Sequence, residues 1–138
     1  MALLWLLNPL GEPTTKKLKK ILVGNKTVYV ELALTPLEHS QGLKFRTELG
    51  EDQGMLFVFS EECYVSFLME DTPIPLSIAF ITEDGLITQI ESMEPLSLES
   101  HPSQKKVKYV LEMERGWFEK NHIHVGDKAT IPPDISER

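Results

Sequence analysis

Short apolar runs of strand length, each stopped by a turn signal, recur along the chain, and this rhythm restricts the possible folds more than any other feature. Leu22-Val23 and Val28-Tyr29-Val30 stand on either side of Gly24-Asn25, residues that tolerate positive φ, so a β-hairpin is expected there. "GMLFVF", Gly54 to Phe59, is continuously apolar between polar flanks and reads as a buried central strand; "YVSFLM" reads as a half-buried one. "SIAFITEDGLITQIESM" gives two strands about the turn at Glu83-Asp84-Gly85. "PLSLESHPSQKK" reads as a polar loop, "VKYVLEM" as an alternating strand and "DKATI" as the last strand. Such a succession predicts a mainly β (α+β) fold: a compact antiparallel sheet folded into a barrel-like domain.

Two short helices interrupt the strands. In "LTPLEHSQGL", Thr35 can cap, Pro36 suits the first helical position, Glu38 completes a capping box and Gly42 supplies the stop. "ERGWFEKNH" predicts a second helix, with Asn121 in the left-handed position at its end and Trp117 as a core anchor. The segment 1–17 reads as a flexible or loosely docked leader, 18–132 as a single globular domain and 133–138 as a frayed tail.

"FLMEDTPIPLSIAF" departs from the strand rhythm. Pro73 and Pro75 bracket one isoleucine, and each removes a ladder donor, so a bend is expected between two core strands. Their preset φ makes the loop inexpensive in entropy to hold rigid for a ligand.

Composition narrows the function classes. With 21 acidic against 14 basic residues, the net charge of −7 has the wrong sign for phosphate backbones, so no nucleic-acid partner is expected. The apolar run before Asn8-Pro9 is far shorter than the roughly 20 residues of a transmembrane helix. Lysines follow that run instead of preceding it, which makes no convincing signal peptide and leaves a cytoplasmic or exported location open. The single cysteine, Cys63, excludes an intrachain disulfide and a cysteine-rich zinc site. Glu61 and Glu62 beside it would raise its thiol pKa, against a nucleophilic role.

Nucleophile elbows, phosphate-cradling glycine loops and dinucleotide fingerprints do not occur, and no cofactor is expected. His122 and His124 could share one face of a strand and hold a metal if Asp127 or His101 joined them, but solvated histidines at a helix end are the simpler reading. Arg46 is different. It follows the first helix in "GLKFRTEL" and, against apolar surface, would need a carboxylate, for which Glu31, Asp71 and Glu112 are candidates. It could form an internal ion pair that pins the helix to the sheet, or recognise an anion at a pocket mouth.

The strings "GLKFR", "GMLFVF", "FLMEDTPIPLSIAFITEDG" and "KYVLEMERGWFEKNHIHVGD" together resemble, in order and spacing, the small prokaryotic family named domain of unknown function 192, from about Val28 to Lys128. Lys44 stands at the family's usual methionine, Asp71 at its asparagine and Ser77 at its aspartate. The resemblance implies a compact β-rich domain, often exported, with no assigned activity, and it marks "MEDTPIPL" as a signature crossing. The resulting expectation is a non-catalytic binding or accessory module for a small polar or anionic ligand or a partner segment, with Arg46, Met69, Asp71, Thr72 and Ser77 as its ligand-binding residues. The alternatives are a small enzyme using Asp71 and Glu112 with Arg46, and a metal-binding domain using His122 and His124.

Overall fold

The computed structural model describes residues 17–137 together with two short paired strands, β1 (Leu6–Leu7) and β2 (Pro13–Thr14). Most of the expected leader lies outside the described residues. The hairpin of β3 (Lys19–Val23) and β4 (Lys26–Ala33) turns at Gly24-Asn25, and α1 (Pro36–Gln41) then carries the chain over to β5 (Gln53–Cys63). The capping box is formed: the Glu38 amide donates to Thr35 Oγ1, and the Glu38 carboxylate accepts from the Thr35 amide. Because a helix joins them, β4 and β5 run parallel, the one parallel pair in an otherwise antiparallel main sheet.

Beyond β5 come β6 (Ser66–Phe67), β7 (Leu76–Ile81), β8 (Ile87–Met93), β9 (His101–Pro102), β10 (Val107–Glu114), α2 (Trp117–Lys120), β11 (Ala129–Thr130) and α3 (Pro133–Ser136). The main sheet has the order β11-β3-β4-β5-β10-β7-β8 and curls into a half-barrel. Its two ends meet at one rim. The Ala129 amide donates to Gly85 O at 2.8 Å, Ile87 to Asp127 O at 3.0 Å, and an isolated bridge joins Leu86 to Lys128.

The concave face packs Val28, Val30, Leu56, Ile81, Tyr109 and Leu111 against Trp117, Phe118 and Ile135. Trp117 is buried, as expected of an anchor, and its Nε1 donates to Asp52 Oδ1 at 2.9 Å. A second apolar cluster on the convex face of β5, β7 and β10 joins Met55, Phe57, Ile78, Phe80 and Val110 to Leu43, Met69 and Ile74. Apolar burial on both sides explains why β10 is buried at all positions except its last, where alternation was expected.

Several local expectations need correction. "YVSFLM" does not form a strand of the main sheet: β5 runs on to Cys63, and only Ser66–Phe67 pair, with β9. The expected polar loop contributes β9 and the buried His101, whose Nδ1 lies 2.9 Å from Glu91 Oε1. Asn121 has φ −100° while His122 takes the left-handed φ of 58°, and neither His122 nor His124 lies in a strand. The segment read as a frayed tail includes α3, with Ile135 buried.

Candidate functional site

Side-chain alternation places Glu31, Met55, Glu112 and Ile78 side by side on the convex face, one from each of β4, β5, β10 and β7. Two carboxylates therefore lie on an otherwise apolar surface, separated by Met55. Glu31 is paired: the Arg46 guanidinium donates to both of its oxygens, through Nη1 to Oε2 and through Nη2 to Oε1 at 3.1 Å. Both side chains are almost excluded from solvent, at 10% and 2% exposed, so this fork-to-fork contact ties the turn after α1 to the sheet.

Glu112 has a different environment. It is 4% exposed, and burial alone pushes its carboxyl up to about 8, so it is mainly protonated at neutral pH. Neither a cation nor a hydrogen-bond donor among the described residues contributes to that shift.

The proline-bearing loop closes over this surface. Asp71, at φ 54°, turns its carbonyl to accept from the Phe45 amide at 2.7 Å, which fastens the loop to the turn that carries Arg46. Thr72 donates its amide to Met69 O at 3.1 Å and its hydroxyl to Glu70 O at 3.0 Å, while its carbonyl accepts from Leu96 at 3.0 Å. Lys44 Nζ stands 3.6 Å from Glu70 Oε2 across the same seam.

Beside the loop, α1, the far half of β5 and the 65–70 segment enclose a groove of about 490 Å³, walled by Phe59, Val65, Phe67 and Leu68 with Lys44 and Glu70 among its lining residues. A smaller cavity of about 40 Å³ shares His39, Lys44 and Phe67 with the groove and extends to Met69, Thr72 and Glu112. The aromatic walls are braced: Phe57 and Phe67 meet edge to face at 4.8 Å, and the His39 ring lies 4.5 Å from Phe59. His39 Nε2 is 2.9 Å from Ala33 O and 3.0 Å from Val58 O, so with two carbonyl partners it carries the proton.

Of the residues singled out from the sequence, Met69 and Thr72 line the inner cavity, while neither Arg46 nor Asp71 is among its lining residues. Asp71 is exposed, whereas Thr72 is buried. Ser77 lies on the opposite face of β7, where its Oγ accepts from the Gly116 amide at 3.1 Å, so it does not join the others. The groove residues Phe59, Phe67 and Leu68 escape sequence reading because the 64–68 stretch looks like one strand and no local signal shows it folding away from β5. Burial and Glu61 raise the Cys63 thiol pKa, in that order. Among the described residues, no group of three or more His, Cys, Asp or Glu side chains is arranged to hold a metal ion, and no helix is long and apolar enough to cross a membrane.

Two solved structures share this architecture. A Sinorhizobium meliloti protein provisionally described as a transcription regulator is 34% identical, with a TM-score of 0.75 over 80% of this chain and 88% of its own. A Novosphingobium aromaticivorans protein of unknown function is 28% identical, with a TM-score of 0.81 over 93% of each chain. No curated protein matches. The profile described as "Uncharacterized ACR" matches residues 19–131, and the chain belongs to that family, domain of unknown function 192.

Proposed function

We propose that the chain is a non-catalytic binding module that takes a small ligand or a partner segment in the groove beside the proline-bearing loop. The observation that carries this reading is the groove itself: a concavity of about 490 Å³ with aromatic and aliphatic walls and a few polar groups at its edge, the composition of a binding site. The loop that borders it is held by two prolines and by backbone bonds at Met69, Asp71 and Thr72, so little ordering is left for a ligand to impose. Arg46 is committed to Glu31, which moves recognition away from the arginine and toward the groove.

An acid–base enzyme is the second reading, favoured by the protonated state of Glu112 near neutral pH. Its further members do not converge, since Asp71 is exposed and Arg46 is paired. The Sinorhizobium protein is provisionally described as a transcription regulator, which raises a nucleic-acid-linked role as a further reading. A net charge of −7 and helices of four to six residues lend that no support here.

The test is a heteronuclear NMR screen of fragments and short peptides. Hits should shift amides at 39–44, 59 and 65–72 saturably, and Leu68→Asp, a change at a half-exposed groove residue, should abolish those shifts in a spectrum that is otherwise intact. Hits that cluster on another surface would overturn the proposal.

A further inference from the structure

The inner cavity has a chemical bias that the groove alone does not reveal. Glu112, a residue 4% exposed, lines it and has no hydrogen-bond donor among the described residues. The Thr72 hydroxyl also lines it and spends its hydrogen on Glu70 O, so toward the cavity it has only lone pairs to offer. His39 directs Nε2 at the Ala33 and Val58 carbonyls, so that nitrogen is engaged away from the cavity. Lys44 is the cation among the lining residues, and it stands 3.6 Å from Glu70. In this space of about 40 Å³, room for a water or an ammonium group, which Ser40 and Gln41 also line, Glu112 supplies the one carboxyl. The adjoining groove is larger, at about 490 Å³, and Phe59, Val65, Phe67 and Leu68 give it an apolar side.

We infer that the inner cavity receives the ammonium group of a primary amine, with Glu112 as its carboxylate partner and Thr72 Oγ1 as a second acceptor, while the amine's apolar body lies along Phe59, Phe67 and Leu68. This rests on the groove being a binding site and adds the charge of what it binds. A protonated amine brings a positive charge and three donors to a buried carboxyl that has no described partner, and replaces the proton on Glu112, which passes to solvent; the paired carboxylate is then no longer an isolated buried charge. A carboxylate-headed ligand would meet Glu112 as a like charge or as a single donor, and an alcohol would offer one donor in place of three.

The experiment titrates the intact protein with n-hexylamine, n-hexanol and n-hexanoate at one pH and ionic strength, followed by amide shifts. Hexylamine should shift residues 39–44 and 69–72 at least tenfold more tightly than either of the others. Glu112→Gln, which keeps the side chain's shape, should bring the amine to the level of the alcohol. Equal binding of all three probes would overturn the amine inference and leave the groove reading standing. Silence from all three, with peptide or fragment hits still in the groove, would likewise overturn it alone; silence from every probe would remove both. An undiminished amine preference in folded Glu112→Gln would overturn the role of Glu112, and the selectivity of the parent protein tests the inference even if that variant does not fold.

Discussion

At the scale of single residues, the two carboxylates on the convex face have opposite solutions to the same problem. Glu31 keeps its charge by forming a bidentate pair with Arg46; Glu112 loses its charge by holding a proton. Removing the arginine should therefore be costly. Arg46→Gln leaves the Glu31 carboxylate buried without its guanidinium and should destabilise by about 3–5 kcal/mol in urea unfolding, whereas the paired change Glu31→Leu with Arg46→Leu should recover much of that loss. Glu112 makes a pH prediction. Its folded-state value of about 8 lies above the unfolded value of 4.5, so the native state binds more protons between those limits and its stability falls as pH rises through that window. One such group contributes a slope of at most about 1.4 kcal/mol per pH unit. Glu112→Gln should flatten the decline between about pH 4.5 and 8 and leave the protein more stable than the parent at the upper end; an unchanged slope would show that the carboxyl is hydrated in solution.

At the scale of elements, the chain's ends and its second cluster separate what local sequence determines from what tertiary packing determines. The hairpin at Gly24-Asn25, the capped α1 and the turn at Asp84-Gly85 were legible because their signals are local: positive-φ residues, a side chain that caps, a pair that turns. The alternation expected of β10 was misleading because a strand covered on both faces has no polar side, and Lys108 and Glu112 kept the pattern while being buried. The carboxylate partners of Arg46 could be shortlisted from sequence, but choosing Glu31 required the register of β4 on β5. The groove was not legible, since it depends on β6 leaving the line of β5 to pair with a segment more than thirty residues away. α3 is the same kind of case: "PPDISER" looks polar, yet Ile135 is 1% exposed within the concave core, and Lys108 Nζ donates to Ser136 O at 2.8 Å. Ile135→Ala should cost about 2–5 kcal/mol in thermal or urea unfolding, the range for a buried isoleucine, where a frayed tail would show no change.

At the scale of the whole molecule, the sheet's stability depends on where its two ends meet. Seven strands curl until the lead-in to β8 reaches β11 and the segment before it, where backbone bonds join them: Ala129 to Gly85, Ile87 to Asp127, and Gly126 to Ile87 at 2.9 Å. These bonds pair the ends at that one rim, covering donors and acceptors that two strand ends would otherwise leave open there. Gly85 is the residue on which it turns. Its φ is +91°, outside the range comfortable for other residues, and a Cβ there would fall against the Ala129 carbonyl. Gly85→Ala combines that strain with a forced separation of the two ends, so it should destabilise by about 1–3 kcal/mol or more. The loss should also be local before it is global. In native-state hydrogen exchange, the amides of Ile87, Gly126 and Ala129 should lose protection in the variant well ahead of those in β5 and β10, which pair on both sides at the centre of the sheet. Uniform loss across all strands would instead show that the rim and the centre open together, as one cooperative unit.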